Sequence, residues 1–133
     1  MTEPLEFEVP LPPNALSPNV RTHWAAKAAW VESYAVTVAY AATEARVSCK
    51  PPWPTAGKVR ISLLFGTKVA KHEGGVFARC RDVDNALASF KAGIDGLKRA
   101  GLMPDDSHRF VSYGDLDIEP TQGPWVRIKV EKV

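Results

Sequence analysis

The chain has 133 residues, 45% hydrophobic and 24% charged, enough for one compact domain that buries about two-thirds of the surface its unfolded form exposes, and unlike a disordered chain in composition. No apolar run approaches the ~20 residues that span a bilayer. Met1-Thr2-Glu3-Pro4 lacks the basic start and apolar stretch of a signal peptide, so a single cytoplasmic domain over 1–133, with no membrane contact, is expected.

Leu5, Phe7, Val9 and Leu11 alternate with Glu6, Glu8 and Pro10, which predicts a first strand with one buried face, ended by Pro12-Pro13. A turn-rich stretch follows, through Asn14, Ser17, Pro18 and Asn19. The segment from about Thr22 to Arg46 is rich in alanine and free of Pro and Gly, and is predicted to be a long helix. Its aromatic residues Trp24, Trp30, Tyr34 and Tyr40 are expected to pack in the core rather than to stack on bases.

After Pro51, Pro52 and Pro54, the residues Val59, Ile61, Leu63 and Phe65 alternate with Lys58, Arg60 and Ser62 as a second strand. The basic stretch Lys68–Arg81 contains Glu73-Gly74-Gly75, a turn signal that suits a hairpin between Val69 and Phe77. A second helix is predicted from about Asp84 to Ala100, with Gly101 as its left-handed stop. At ~100° per residue, Ala86, Phe90, Ile94 and Leu97 form its apolar stripe, with Gly93 on the same side, and Asp84, Lys91, Asp95 and Lys98 form a polar one. Phe110–Tyr113 reads as a short strand, and Val126, Ile128 and Val130 as a terminal one. The order β-α-β-α-β-β predicts an α+β fold, with two main helices on a mixed or mostly antiparallel sheet.

The net charge is only +2, yet residues 50–99 carry ten Lys/Arg against four Asp/Glu. Asp82 and Asp84 lie inside that basic block, where the chain enters the second helix, and Asp105-Asp106 follow that helix. Like charges brought together raise one another's pKa and cost stability unless a cation or a shared proton joins them. In an extended approach, residues two apart project to one side, so Asp82 and Asp84 suit a single hard cation. Asp105 or Asp106 would add a ligand if the fold returns that turn to the helix start. Mg²⁺ takes about six oxygens, typically one to three of them from carboxylates. Carboxylates ringed by cations suit a polyanionic substrate.

Simpler structural roles compete with that chemistry. Asp84 is a good helix cap, Asp105-Asp106 suits a turn, and Lys91 has Asp95 four residues on. Lys91 also lies seven residues after Asp84, close to two helical turns, and so on the same face of a continuous helix. His23, His72 and His108 show no ligand spacing. Cys49 and Cys80 are too far apart for a Cys-x-x-Cys site, and the carboxylates near Cys80 disfavour its thiolate. No Gly-rich phosphate loop or Ser-His-Asp order appears, so no organic or nucleotide cofactor is expected.

The stretch Arg81-Asp82-Val83-Asp84-Asn85, then Lys91, Asp95 and Leu97, then Ala100-Gly101 and Asp105-Asp106, resembles the signature of RusA-type Holliday junction resolvases. Pro12-Pro13, Asn19 and Arg21 resemble the family's lead-in, so the likeness covers most of the chain. It implies a homodimeric, Mg²⁺-dependent endonuclease, with Mn²⁺ as a substitute, that cuts four-way DNA junctions in recombination and repair and is often encoded by phages or prophages. Carried over by position, Asp82, Asp84 and Asp106 are the metal ligands, with Asp105 beside them, and Lys91 is the catalytic lysine. The family's lysine sits four residues after the second aspartate, whereas three extra residues intervene here. Arg79, Arg81, Lys68, Lys71, Arg21, Asn19 and Lys27 are expected to contact branched DNA. Two other functions share this sequence pattern: a junction-binding module without cleavage, and a structural protein whose carboxylates only cap helices and turns.

Overall fold

Alternation of apolar and polar residues builds the centre of the molecule. In the computed structural model, which describes residues 2–17, 21, 23–67, 69–72, 75–78, 83–119 and 124–133, with the side chains of 14, 69–72 and 75–78 outside that description, the elements run in this order: β1 (Leu5–Val9), a 3₁₀ turn (Asn14–Leu16), α1 (Trp24–Val47), β2 (Val59–Gly66), β3 (Val69–His72), β4 (Gly75–Ala78), α2 (Val83–Ser89), α3 (Lys91–Arg99), β5 (Val111–Glu119) and β6 (Trp125–Lys132). Four strands form one sheet in the order β1-β6-β2-β5, with β2 and β5 parallel and the other neighbours antiparallel. The α+β architecture with a mixed sheet is the one the sequence predicts.

Because strand side chains alternate, Val59, Ile61, Leu63 and Phe65 of β2 and Val126, Ile128 and Val130 of β6 all fall on one face, and all are buried. Tyr34, Val38 and Ala42 of α1 and Ile94 and Leu97 of α3 complete the same core cluster. The other face carries Glu6, Glu8, Ser62, Leu64, Asp117, Arg127 and Lys129 around a shallow concavity of about 720 Å³. The Trp125 ring lies directly over Gly66, where any side chain would strike it, and Arg127 stacks 4.3 Å from the Trp125 ring centre.

Three expectations need correcting. The predicted helix from Asp84 to Ala100 is two helices that meet at Phe90. Phe90 is fully buried, and its ring stands edge-on to both Tyr34 and Phe65 at 6.0 and 6.2 Å. It also lies over Gly93, whose missing side chain makes the room. Inserting this ring into the core takes precedence over continuing one straight helix. The short strand expected at Phe110–Tyr113 is instead the nine-residue β5, because pairing with β2 carries it to Glu119. Its register shifts between Ile61 and Leu63, where Gly114 and Asp115 together span the place opposite Ser62. Of the α1 aromatics expected in the core, only Tyr34 is buried, with its hydroxyl donating to the Pro10 carbonyl at 2.7 Å. Trp24, Trp30 and Tyr40 are exposed, because among the described residues β1, α3 and the 3₁₀ turn pack on one side of this 24-residue helix.

The hairpin prediction agrees with the backbone: β3 and β4 pair antiparallel, Val69 opposite Ala78 and His72 opposite Gly75, as a ribbon separate from the main sheet. Gly101 is left-handed (φ 80°), as predicted. The Gly101 N–H donates to Lys98 and the Leu102 N–H to Leu97, a Schellman closure that ends α3 and turns the chain toward Asp105-Asp106.

Candidate functional site

Among the expected site residues, Asp82, Arg79, Arg81, Lys68 and Asn19 lie outside the described residues, as does Cys80, and so do the side chains of Lys71 and His72. Asp84, Asp105, Asp106, Lys91, Arg21 and Lys27 are described. Asp84 stands exposed in the first turn of α2, where the positive end of the helix dipole favours a carboxylate. Asn85, beside it, is half-buried, and its carbonyl accepts from the Ser89 hydroxyl at 2.9 Å.

Lys91 is exposed at the first position of α3. The break at Phe90 removes the two-turn argument that put Lys91 and Asp84 on one helical face, since that periodicity holds only within an unbroken helix. The alternative pairing of Lys91 with Asp95 is also absent. Asp95 instead bonds Arg99 at 2.7 Å and lies 4.0 Å from Lys98. Arg99 also grips Glu32 of α1 through two hydrogen bonds of 2.8 Å, tying α1 to α3.

The two members of the Asp105-Asp106 pair differ. The carboxylate of Asp105 accepts from the backbone N–H of Asp106, which holds its pKa below the usual aspartate range, and Lys98 at 3.8 Å adds to that effect. Asp106 is exposed and makes no ion pair among the described residues. In the segment 83–107, Asp95 and Asp105 are neutralised by neighbouring cations, whereas Asp84, Asp106 and Lys91 are left without opposite charges among the described residues.

Strand β5 connects the two ends of this segment. Helix α2 packs against β5, and Tyr113 of β5 is near enough to Asp106 that the carboxylate's charge adds to burial in pushing the phenol's pKa up. Tyr113 pairs with Ile61 and so points to the helix-bearing side of the sheet, yet remains 44% exposed. Sequence reading did not single out Tyr113 as a candidate. Its signal is visible only once the β2–β5 register is known.

Among the described residues no three His, Cys, Asp or Glu side chains gather closely enough to hold a metal ion; the expected third ligand, Asp82, is outside that set. The donors themselves are hard carboxylate oxygens, which suit Mg²⁺ or Mn²⁺ rather than a soft metal. Of the basic residues, Arg21 is exposed just before α1 and Lys27 is half-buried on its first turn. The 3₁₀ turn that precedes them packs against both α1 and α2. His23 caps α1 by accepting from the Ala25 N–H at 3.3 Å, and His108 is exposed. No helix among the described residues is long and apolar enough to cross a membrane. No protein-family description matches this chain, and no curated protein is significantly similar to it.

Proposed function

We propose that this protein is a metal-dependent endonuclease that resolves four-way DNA junctions as a homodimer, in the manner of the RusA-type resolvases its motif resembles. The observation that carries the reading is the selective pairing of charge along 83–107 among the described residues: Asp95 and Asp105 have cations there, while Asp84 and Asp106 do not. Carboxylates without a neighbouring cation beside a basic segment suit a divalent ion and a phosphodiester.

In this reading Asp82, Asp84 and Asp106 would hold Mg²⁺, or Mn²⁺ in its place, and Asp105 would steady the turn through Lys98 rather than act as a ligand. A bound ion supplies charge neutralisation at the phosphodiester and lowers the pKa of an attacking water. The Lys91 ammonium would meet a phosphate oxygen and oppose the negative charge that builds there. The Tyr113 phenol, held protonated, would donate a hydrogen bond toward Asp106 and orient it. Lys68, Lys71, Arg79, Arg81, Arg21, Asn19 and Lys27 would grip the DNA backbone and give binding a steep salt dependence.

The test is cleavage of a synthetic four-way junction with Mg²⁺ by wild type, Asp82→Asn, Asp106→Asn and Lys91→Ala. The two aspartate variants are expected to lose cleavage by roughly 100-fold or more while still binding the junction at low salt. Equal cleavage by wild type and Asp82→Asn would end the proposal. Salt-sensitive junction binding without nicking under any divalent ion would assign a binding module instead, a reading favoured by the break at Phe90 that separates Lys91 from α2.

A further inference from the structure

Apolar residues lie on two sides of α1, and the core uses only one. Away from Tyr34, Val38 and Ala42, the residues Ala29, Ser33, Val36, Tyr40, Thr43 and Val47 recur at spacings of four and three, a heptad seam on the opposite side of the helix. All six are exposed, with Val36 at 52%, Tyr40 at 70% and Val47 at 74%. Thr43 turns its hydroxyl back to the Ala39 carbonyl at 2.7 Å, which leaves its methyl for the seam. Beside the seam runs a groove of about 650 Å³ lined by Val36, Ala39, Tyr40, Val47 and Arg99, among others.

We infer that this face is where two copies of the chain meet, α1 against α1 in antiparallel fashion about a two-fold axis near Val38. The inference rests on the dimeric reading proposed above and adds the surface. Three observations select a second copy. First, the seam is self-complementary: antiparallel pairing sets Ala29 against Val47 of the other copy, Ser33 against Thr43 and Val36 against Tyr40, so the smaller residue of each pair meets the larger, as an isologous interface requires. Second, the six seam side chains carry no charge, and the charged residues within 29–47 are Glu32, Glu44 and the single cation Arg46. A nucleic acid needs cations there, and so does an anionic membrane surface. Glu32 bonds Arg99, which it shares with Asp95, so part of the acidic charge that two copies bring together is offset. Third, the size suits a modest dimer. The seam spans 19 residues, or about 28 Å of helix. Val36, Tyr40 and Val47 alone expose on the order of 300 Å² of apolar surface per copy, and the small residues between them bring the total for two copies near the ~1,000 Å² that a specific interface needs.

The experiment is sedimentation equilibrium at about 5–100 µM, without DNA or metal, on wild type, Val36→Glu and Tyr40→Glu, with circular dichroism and thermal melts on each. Wild type is expected at twice the 14.5 kDa chain mass, and both variants at the single-chain mass with unchanged helicity. Should a variant fail to fold, the double variant Ala29→Cys/Val47→Cys under mild oxidation keeps the question open to measurement. Built on a Cys49→Ser/Cys80→Ser background, it is expected to give an interchain disulfide that neither that background nor either single variant forms. A wild-type dimer that survives both charge substitutions, or a double variant that does not cross-link, overturns the α1 surface and leaves the two-fold reading intact. A wild type that is monomeric across the range overturns both.

Discussion

Substituting Gly96 by alanine tests the contact that holds the helical layer together. A Cβ at this position would stand 2.5 Å from the Ala35 carbonyl oxygen, 2.9 Å from the Val38 Cβ and 3.0 Å from the Ala39 nitrogen. Favourable contacts between such atoms begin near 3.5 Å, so α1 and α3 must part by about 1 Å. Two of the three opposing atoms are main chain of α1, which no rotamer change can move aside. Overpacking of this kind costs typically 1–3 kcal/mol. Alanine in place of glycine returns up to about 1 kcal/mol through helix propensity and a less disordered unfolded chain. The net expectation for Gly96→Ala is a loss of about 1–2 kcal/mol, read by calorimetry or far-UV circular dichroism as a Tm lower by roughly 3–10 °C. A Tm that stays the same or rises would refute the close α1–α3 approach. Since α3 carries the chain from Lys91 to the Asp105-Asp106 turn, it would also undo the placement of the candidate site's two ends.

Other expectations follow from single interactions. Trp53 is buried and donates its indole N–H to the Leu102 carbonyl at 2.9 Å; Trp53→Phe removes that donor, leaves a buried acceptor unpaired, and should cost about 1–3 kcal/mol in urea unfolding, a result within 0.3 kcal/mol of zero being incompatible with the bond. Hydrogen bonds from Arg99, and then its charge, hold the Glu32 pKa below the usual glutamate range. A depressed folded-state pKa stabilises above the unfolded value of about 4.3 and loses that contribution as pH falls through the folded value. Wild type should therefore lose Tm more steeply than Glu32→Gln as pH drops below about 5, and parallel melting curves would remove the pair's role in acid stability. Finally, a native-state ligand at 100 times its dissociation constant adds about 2.7 kcal/mol, so Mg²⁺ should raise the Tm of wild type by several degrees over an ionic-strength-matched NaCl control and leave Asp106→Asn unmoved; equal shifts in the two proteins would dissociate Asp106 from the ion.

Local pattern alone determined a good part of this molecule. The alternation in 59–65 and 126–130 marks β2 and β6 and assigns their buried faces, because strand geometry sends successive side chains to opposite sides whatever surrounds them. The Pro- and Gly-free run to Arg46 marks α1, and Gly101 marks the end of α3 because only a left-handed residue closes a helix that way. Ala86, Phe90, Ile94, Leu97 and Gly93 do form an inward-facing set, despite the break within it.

What neighbouring elements demand was visible only in the folded chain. Phe90 interrupts the predicted helix because its ring belongs between Tyr34 and Phe65, residues 56 and 25 positions away in sequence. The length of β5 is set by β2, since Gly114-Asp115 reads locally as a turn and becomes a bulge only when a parallel partner runs alongside. Neither the nearness of Tyr113 to Asp106 nor the exposure of the second apolar face of α1 follows from periodicity. A repeat in sequence decides which residues share a side of one element. Which sides then meet, and which stay open, is decided by long-range packing that no local repeat encodes.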